Sequence, residues 1–248
     1  MKKFRHINMN AKITVVGSSS GGNGYLLQCN DESLIIECGM PAKEMVKLLG
    51  LDIKSVRGCL VTHQHLDHVG LLKQYLRYFP FNVYSCPSVA EENSKVNALK
   101  QKMRYTIGGF KVIPLSVPHG DCECYAYHIT LPDGQTLLFA TDLEDFPYSI
   151  KGINHLFIEC NYSEDLIVDR LCDGKDVRSL FDTHMELSKC IDVIKRLQSP
   201  EMRSVVLLHL SDANSDEKQF KQCVWNECGI RCDCADAGKV YELIKDDF

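Results

Sequence analysis

At residues 62–68 the chain reads Thr62-His63-Gln64-His65-Leu66-Asp67-His68, and this segment directly follows an apolar, strand-like run. Residues two apart in an extended chain point the same way, so His63 and His65 can bind one metal ion together. Asp67 and His68 lie where the chain turns into a helix expected over Val69–Phe79, and they can face a second ion close by. Imidazole nitrogens with a carboxylate suit zinc or a related transition metal. The alternative is a surface histidine cluster that binds no metal.

Three more residues of ligand type occur in the same local context. His119, Asp142 and His209 each come just after an apolar segment that is typical of a strand. Strands that end at one edge of a sheet bring such residues together, so all three are candidates for the same metal site. Taken singly, each is more often a helix cap or a packed polar residue.

The composition is that of an ordinary globular protein. Of the 248 residues, 45% are hydrophobic and 25% charged, which suffices for a sizeable core. No Pro/Gly/Ser-rich linker, charge block or low-complexity tract divides the sequence, which favours a single domain over residues 1–248. The formal net charge of −5 excludes a uniformly basic nucleic-acid-binding surface, although not a local basic groove. No apolar run approaches the roughly 20 residues of a transmembrane helix, and no signal-peptide pattern follows the basic start at residues 1–6. A cytoplasmic protein without a membrane partner is expected, with most of its 13 cysteines as free buried thiols.

Short apolar runs alternate with helical patterns along the chain. Runs such as Leu34-Ile35-Ile36 and Leu137-Leu138-Phe139-Ala140 read as strands buried on both faces, which requires helices packed over the sheets. Helices are expected over Pro41–Leu49, Val69–Phe79 and Ser188–Leu197, where apolar spacing and a following Gly or Pro mark them. These elements predict an α/β protein built of layers.

The candidate ligands resemble the ligand set of the metallo-β-lactamase-fold hydrolases, and the likeness extends over nearly the whole chain. It implies a four-layer α/β/β/α sandwich, in which two mixed sheets are flanked by helices and the site lies at one edge. It also implies two divalent metal ions, zinc in the first place, with manganese or iron as alternatives. Carried over by this likeness, one ion would be held by His63, His65 and His119, the other by Asp67, His68 and His209, with Asp142 between them.

Further motifs resemble a branch of small single-domain nucleases, the YycJ/WalJ-like proteins, and more distantly ribonuclease Z. These motifs are Gly17-Ser18-Ser19-Ser20-Gly21-Gly22-Asn23-Gly24, Glu159-Cys160-Asn161-Tyr162, Thr183-His184-Met185 and His209-Leu210-Ser211-Asp212-Ala213-Asn214. The first of them reads either as a phosphate-binding loop or as a flexible hairpin turn. By the resemblance, Ser19, Ser20, Asn23 and Ser211 would contact the substrate.

The same resemblance assigns catalytic roles to Asp67 and His184. His184 would protonate the leaving oxygen or hold the scissile phosphate, and Glu159 would orient it. The alternatives are that His184 is a helix-entry histidine without a catalytic role and that Glu159 is a cap or an ion-pair partner. Glu37 occupies a place where related proteins often have Asp, and it would support the ligands from behind. Only 16 residues separate Asp142 from Glu159, which leaves no room for the long tRNA-binding arm of many ribonuclease Z enzymes.

These features indicate a dinuclear metal-dependent hydrolase, and its substrate stays open. The leading hypothesis is a phosphodiesterase or nuclease with DNA or RNA as substrate, in which a metal-bound hydroxide attacks phosphorus. A small ester, thioester or lactam is the alternative substrate, which the net acidic charge favours. In a third hypothesis the metal only holds a binding module together. Five basic residues close together in sequence form what we call the basic group: Lys95, Lys100, Lys102, Arg104 and Lys111. They are either a stripe that contacts phosphates or a solvated face.

Overall fold

The apolar runs of the sequence form the strands of two seven-stranded sheets. The computed structural model describes residues 11–50, 52–172 and 178–244. The first sheet contains β1 (Ala11–Ser19), β2 (Gly22–Cys29), β3 (Glu32–Ile36), β4 (Val56–Leu60), β5 (Asn82–Ser85), β6 (Val96–Ala98) and β14 (Val240–Leu243). The second contains β7 (Tyr105–Ile107), β8 (Phe110–Val117), β9 (Cys124–Thr130), β10 (Thr136–Ala140), β11 (His155–Glu159), β12 (Ser204–Leu208) and β13 (Cys232–Cys234).

Eight α-helices of the described residues accompany the sheets. They are α1 (Ala42–Leu48), α2 (Leu66–Val69), α3 (Leu72–Tyr78), α4 (Pro87–Glu92), α5 (Glu164–Cys172), α6 (Arg178–Thr183), α7 (Leu187–Leu197) and α8 (Glu217–Cys228). None of these helices is long and apolar enough to cross a bilayer.

Both sheets are mixed and follow the same plan. In the first sheet the strands lie in the order β14-β1-β2-β3-β4-β5-β6, antiparallel as far as β3 and parallel from β3 to β6. In the second sheet the order is β13-β12-β11-β10-β9-β8-β7, antiparallel from β7 to β10 and parallel from β10 to β13.

Alternate side chains of the second sheet lie in different hydrophobic cores. Leu137 and Phe139 of β10 face the first sheet, whereas Leu138 and Ala140 pack with residues of α7 and α8. The first sheet is covered in turn by α1 and α3, whose buried side chains form one continuous hydrophobic cluster with residues of that sheet. This arrangement of helix, sheet, sheet and helix confirms the four-layer α/β/β/α sandwich. Strands buried on both faces explain why their sequences are continuously apolar.

The helix expected over Val69–Phe79 is wrong in its extent, because the structure has two helices there. The first is α2, and it already contains Asp67 and His68. The second is α3, which begins after Leu71. The Leu71 N–H donates to the carbonyl of Cys38 at 3.0 Å, and the Cys38 N–H donates to the carbonyl of His68 at 2.7 Å. These hydrogen bonds to the segment after β3 replace the bonds that would continue α2 into α3 as one helix. The spacing of apolar residues in the sequence does not reveal such a break.

The glycine- and serine-rich segment 17–24 is a β-hairpin. Ser19 pairs with Gly22 across β1 and β2, so Ser20 and Gly21 alone form the loop. Gly22 has a φ of 145°, a conformation that L side chains rarely adopt. The segment therefore folds as a hairpin turn, and phosphate binding by this turn stays a prediction.

Candidate metal centre

The candidate ligands lie together at one edge of the sandwich. Each belongs to a segment that leaves the end of a strand: His63 follows β4, His119 follows β8, Asp142 follows β10 and His209 follows β12. The first of these strands belongs to one sheet and the other three to the second sheet. The site is therefore built from both sheets, and its four segments are far apart in sequence.

The first cluster consists of His63, His65 and His119. The Nδ1 atom of His65 lies 2.9 Å from Nε2 of His63 and 3.1 Å from Nε2 of His119. Nitrogens bound tetrahedrally to one zinc ion at their usual bond lengths are about 3.3 Å apart. The three imidazoles therefore converge closely enough to hold one ion.

The second cluster consists of Asp67, His68, Asp142 and His209, with one ligand atom of each within 4.8 Å of the others. Oδ2 of Asp142 lies 3.3 Å from Nε2 of His68 and 4.0 Å from Nε2 of His63. The Asp142 carboxylate is thus the group that lies between the two clusters, where a bridging ligand is expected.

An unpaired buried nitrogen tests whether these residues fit a metal. Nε2 of His209 is buried without a hydrogen-bond partner in the described part of the chain, 3.6 Å from Oδ2 of Asp67. Such an atom costs free energy unless something binds it. A divalent cation among these nitrogen and carboxylate ligands would satisfy it, and the ligand types suit zinc, manganese or iron. The residues present therefore fit a dinuclear metal site.

The electrostatics of the clusters favour the ionisation states that metal ligands need at His63 and Asp142, but not at His209. Burial and the neighbouring His68 lower the pKa of His63, which keeps its imidazole neutral. Burial opposes ionisation of Asp142, but His209 and His68 outweigh it and hold the pKa of this carboxyl well below its usual range. Burial likewise opposes protonation of His209, yet Asp142 and Asp67 raise its pKa to about 10. A cation bound there would have to displace that proton.

Three non-glycine residues at the site have a left-handed backbone. The φ angles are 68° for Glu37, 53° for Asp142 and 52° for His209. This conformation is uncommon for residues with a Cβ, and it persists only where the surroundings hold it. Its concentration here is independent structural support for a functional site.

His184 and Glu159 lie beside the second cluster. Nδ1 of His184 is 2.7 Å from Oε1 of Glu159, and Oε2 of Glu159 accepts hydrogen bonds from the backbone N–H groups of Leu143 and Met185. Burial would lower the pKa of His184, but the Glu159 carboxylate outweighs it and raises the pKa. The His184 and His209 rings are stacked with centroids 5.3 Å apart. The structure thus brings this pair together as the motifs suggested, with His184 partly exposed and Glu159 fully buried.

Glu37 lies behind the second cluster. Its carboxylate accepts from the backbone N–H of Thr62, and Oε1 lies 3.4 Å from Nδ1 of His68. The side chain is fully buried. Glu37 thus lies against His68, and its role as a support for the ligands stays a prediction.

Three of the four residues expected to contact substrate line an open cleft beside the clusters. Ser19, Ser20 and Ser211 line this cavity of about 270 Å³ together with His184 and His209. Asn23 does not, because it is fully buried, and its Nδ2 lies 3.2 Å from Oδ2 of Asp67 and 3.0 Å from Nε2 of His68. We correct the expectation for Asn23 accordingly: the side chain contacts ligands and not the cleft. The five residues of the basic group are all exposed, and none of them lines this cleft.

Asn161 was missed as a functional residue. Its Nδ2 donates to the carbonyl of His209 at 2.7 Å, so it fixes the left-handed backbone there. A sequence signal existed, since Asn161 follows the end of β11 in the same way that the candidate ligands follow their strands.

Comparison with known proteins gives a family, a curated relative and a fold. The sequence profile of the metallo-beta-lactamase superfamily matches residues 19–143. The exodeoxyribonuclease YycJ of Bacillus anthracis is 27% identical over 184 residues, which cover 64% of this chain and 66% of that protein. The anti-Pycsar protein Apyc1 of Paenibacillus xerothermodurans is 34% identical over 73 residues, covering 27% and 29% of the two chains. The chain therefore aligns with less than two thirds of the length of each of these relatives.

A solved structure shows the same fold. The metallo-beta-lactamase fold protein YhfI of Bacillus subtilis has a TM-score of 0.73 and 22% sequence identity, and the match covers 94% of this chain and 99% of that one.

Proposed function

Since the chain belongs to the metallo-beta-lactamase superfamily of hydrolases, we propose that it is a dinuclear phosphodiesterase or nuclease acting on DNA or RNA. The observation that carries this proposal is the pair of ligand clusters that meet at Asp142, with the His184–Glu159 pair beside them. The similarity to an exodeoxyribonuclease supports a nucleic acid as the substrate.

In this proposal the chain's own residues divide the work between binding cations and moving a proton. His63, His65 and His119 would hold one cation, Asp67, His68 and His209 the other, and Asp142 both. The bound cations would supply Lewis-acid polarisation of the phosphoryl oxygens.

His184 is the proton donor in this proposal. Glu159 accepts from Nδ1 of His184 at 2.7 Å and favours its protonated form, which leaves the Nε2–H for the departing oxygen. Because Glu159 is itself fixed by two backbone N–H groups, the imidazole is oriented before substrate binds.

The serine hydroxyls of the cleft are the proposed substrate contacts. Ser19 and Ser20 come from the β1–β2 hairpin and Ser211 from the segment after His209, so they approach the cleft from both sheets. Each can donate a hydrogen bond to a phosphate oxygen.

One observation favours a small ester, thioester or lactam as the alternative substrate. As far as the structure describes the cleft, its lining residues include the acidic Asp212 and neither Lys nor Arg. A polyanion would therefore depend on the metal ions for charge neutralisation near the scissile bond.

The test is a substrate panel with a matched pair of variants. Zinc-, manganese- and iron-loaded protein is incubated with labelled single- and double-stranded DNA and RNA, bis(p-nitrophenyl) phosphate, and an ester, a thioester and a lactam. We expect phosphodiester cleavage that His63→Ala abolishes and that His128→Ala, a histidine on β9 outside the clusters, retains. Metal-loaded protein that cleaves no phosphodiester refutes the proposal, and turnover of only a small substrate selects the alternative.

A further inference from the structure

Three buried side chains on the β1–β2 hairpin are hydrogen-bonded in series. They are Ser18, Tyr25 and Asn23, and we call them the hairpin chain. The Tyr25 hydroxyl lies 2.8 Å from Oγ of Ser18 and donates to Oδ1 of Asn23 at 3.3 Å. Tyr25 and Asn23 have no exposed surface, and Ser18 is 9% exposed. Polar groups at this depth are retained only where their hydrogen bonds are satisfied, so the series is a fixed unit.

Each end of the hairpin chain contacts ligands of the second cluster. At one end, the backbone N–H of His209 donates to Oγ of Ser18 at 3.0 Å. At the other end, Nδ2 of Asn23 lies 3.2 Å from Oδ2 of Asp67 and 3.0 Å from Nε2 of His68. The hairpin chain therefore connects His209, from the second sheet, with Asp67 and His68, from the first.

The orientation of the Asn23 amide identifies it as a support and not a ligand. Its Nδ2 also donates to the carbonyl of Ser19 at 3.1 Å, while Oδ1 is turned toward the Tyr25 hydroxyl. Turning the amide over would place two oxygens against each other at Ser19. The N–H₂ group is thus the end that faces the cluster, and it cannot bind a cation. Its two hydrogens serve the Ser19 carbonyl and Oδ2 of Asp67, so the lone pair of Nε2 of His68 is left for a cation.

The first cluster has separate supports. Nδ1 of His63 lies 2.9 Å from Oγ1 of Thr62, and Nδ1 of His119 lies 2.7 Å from the carbonyl of Thr183. The hydrogen bonds of the hairpin chain end at the second cluster, and none of those given above reaches His63, His65 or His119.

We propose that the hairpin chain sets the cation affinity of the second cluster and leaves that of the first cluster unchanged. Ser18, Tyr25 and Asn23 are then positioning residues, and the segment 17–24 supports the metal centre in addition to bordering the cleft. The proposal rests on the dinuclear centre of the proposed function.

The physical reason lies in what His209 needs to hold its place. Its left-handed backbone is secured on the N–H side by Ser18 and on the C=O side by Asn161. Without the Ser18 hydroxyl, the buried N–H would have no acceptor there and would favour another backbone conformation. Removing such outer-shell partners typically lowers metal affinity by about 10- to 100-fold.

The experiment measures bound metal and not activity. Wild type, Tyr25→Phe, Ser18→Ala and Ser18→Thr are dialysed against stepped concentrations of buffered Zn²⁺, and bound zinc is counted by mass spectrometry. The control is Tyr75→Phe, which also removes a buried tyrosine hydroxyl but whose hydroxyl donates to the carbonyl of Met40. Thermal unfolding in the presence of chelator shows whether a variant is less stable than wild type when no metal is bound.

We expect wild type and Tyr75→Phe to bind two zinc ions in two steps. In Tyr25→Phe and Ser18→Ala, one step should shift to about 10- to 100-fold higher zinc while the other stays in place, and Ser18→Thr should restore it. Equal weakening of both steps, or two unshifted steps in both variants, overturns the inference. Wild type that binds no second ion would instead refute the dinuclear centre itself.

Discussion

Replacing Gly39 by alanine should displace Asp67 and empty the second cluster. A Cβ atom at Gly39 would lie 1.7 Å from the carbonyl oxygen of Asp67, 2.5 Å from its carbonyl carbon and 2.7 Å from the backbone nitrogen of Asn23. Real Cβ atoms essentially never approach closer than 3.0 Å, so the Asp67 carbonyl must retreat from 1.7 Å to that distance, by about 1.3 Å. All three clashing atoms are backbone atoms, which cannot rotate away as a side chain can.

The displacement should reach the ligands with little attenuation. Asp67 and His68 share the four-residue helix α2, and the carbonyl of His68 accepts from the N–H of Cys38, next to Gly39. Functional groups must be held within about 0.5 Å of their working positions, and a misplacement of about 1 Å can cost about 100-fold in rate. We expect Gly39→Ala to lose at least one zinc ion per chain and about 100-fold in phosphodiester hydrolysis. The overpacking should also lower the free energy of unfolding by about 1–3 kcal/mol.

The assay compares Gly39→Ala with Gly21→Ala. At Gly21 the nearest atom to an added Cβ is Oγ of Ser19 at 3.4 Å, an ordinary van der Waals contact. Zinc content, hydrolysis of bis(p-nitrophenyl) phosphate and urea unfolding are measured on both variants. If Gly39→Ala binds as much zinc as Gly21→Ala and is equally active, the close approach of Gly39 to Asp67 does not position the ligand.

Three further predictions follow from other contacts. Glu159→Gln should lower kcat by about 100-fold or more with a smaller change in KM, because His184 loses the neighbouring negative charge that keeps it protonated. A change in KM alone, measured by steady-state kinetics, would contradict this prediction. His155 is buried between Ser204 and Gln135, and burial lowers its pKa to about 4, so the unfolded chain takes up a proton first as pH falls. The stability contributed by this group is complete above pH 6.5 and is lost between pH 6.5 and 4, by at most about 3 kcal/mol. The free energy of unfolding in urea should therefore differ less between pH 7 and pH 5 in His155→Gln than in wild type. An equal difference in the two proteins refutes the assignment. Chelation should lower the melting temperature of wild type but not that of the double variant His63→Ala/Asp142→Asn, because a cation at 100 times its Kd stabilises the fold by about 2.7 kcal/mol. If chelator lowers the melting temperature of both proteins equally in scanning fluorimetry, a bound metal is excluded as the cause.

The layered fold could be predicted because its signal is local. A strand such as β10 is buried on both faces, so its apolar run of consecutive residues identifies both the strand and the need for helices outside it. The prediction of the fold is confirmed. The break between α2 and α3 could not be predicted, because it depends on hydrogen bonds to Cys38, about 30 residues away.

The candidate metal ligands could be identified from the sequence for a related reason. Ligand-type residues directly after apolar strands must lie near a sheet edge, and the resemblance to a known family supplied the grouping that periodicity lacks. Their assignment as ligands stays a prediction. The burial of Asn23 could not be predicted from sequence, because a polar residue in a glycine-rich hairpin looks the same in the sequence whether its side chain faces solvent or a carboxylate.

The order of the strands makes each half of the chain incomplete. Strands β1–β6 form the first sheet and β7–β13 the second, and the chain passes between them once through residues 99–104 before β14 returns to the first sheet. The HxHxDH segment belongs to the first half, and His119, Asp142 and His209 belong to the second. A nick within 99–104 would therefore yield two fragments of which neither carries a full set of metal-binding groups, and added zinc should promote their reassembly.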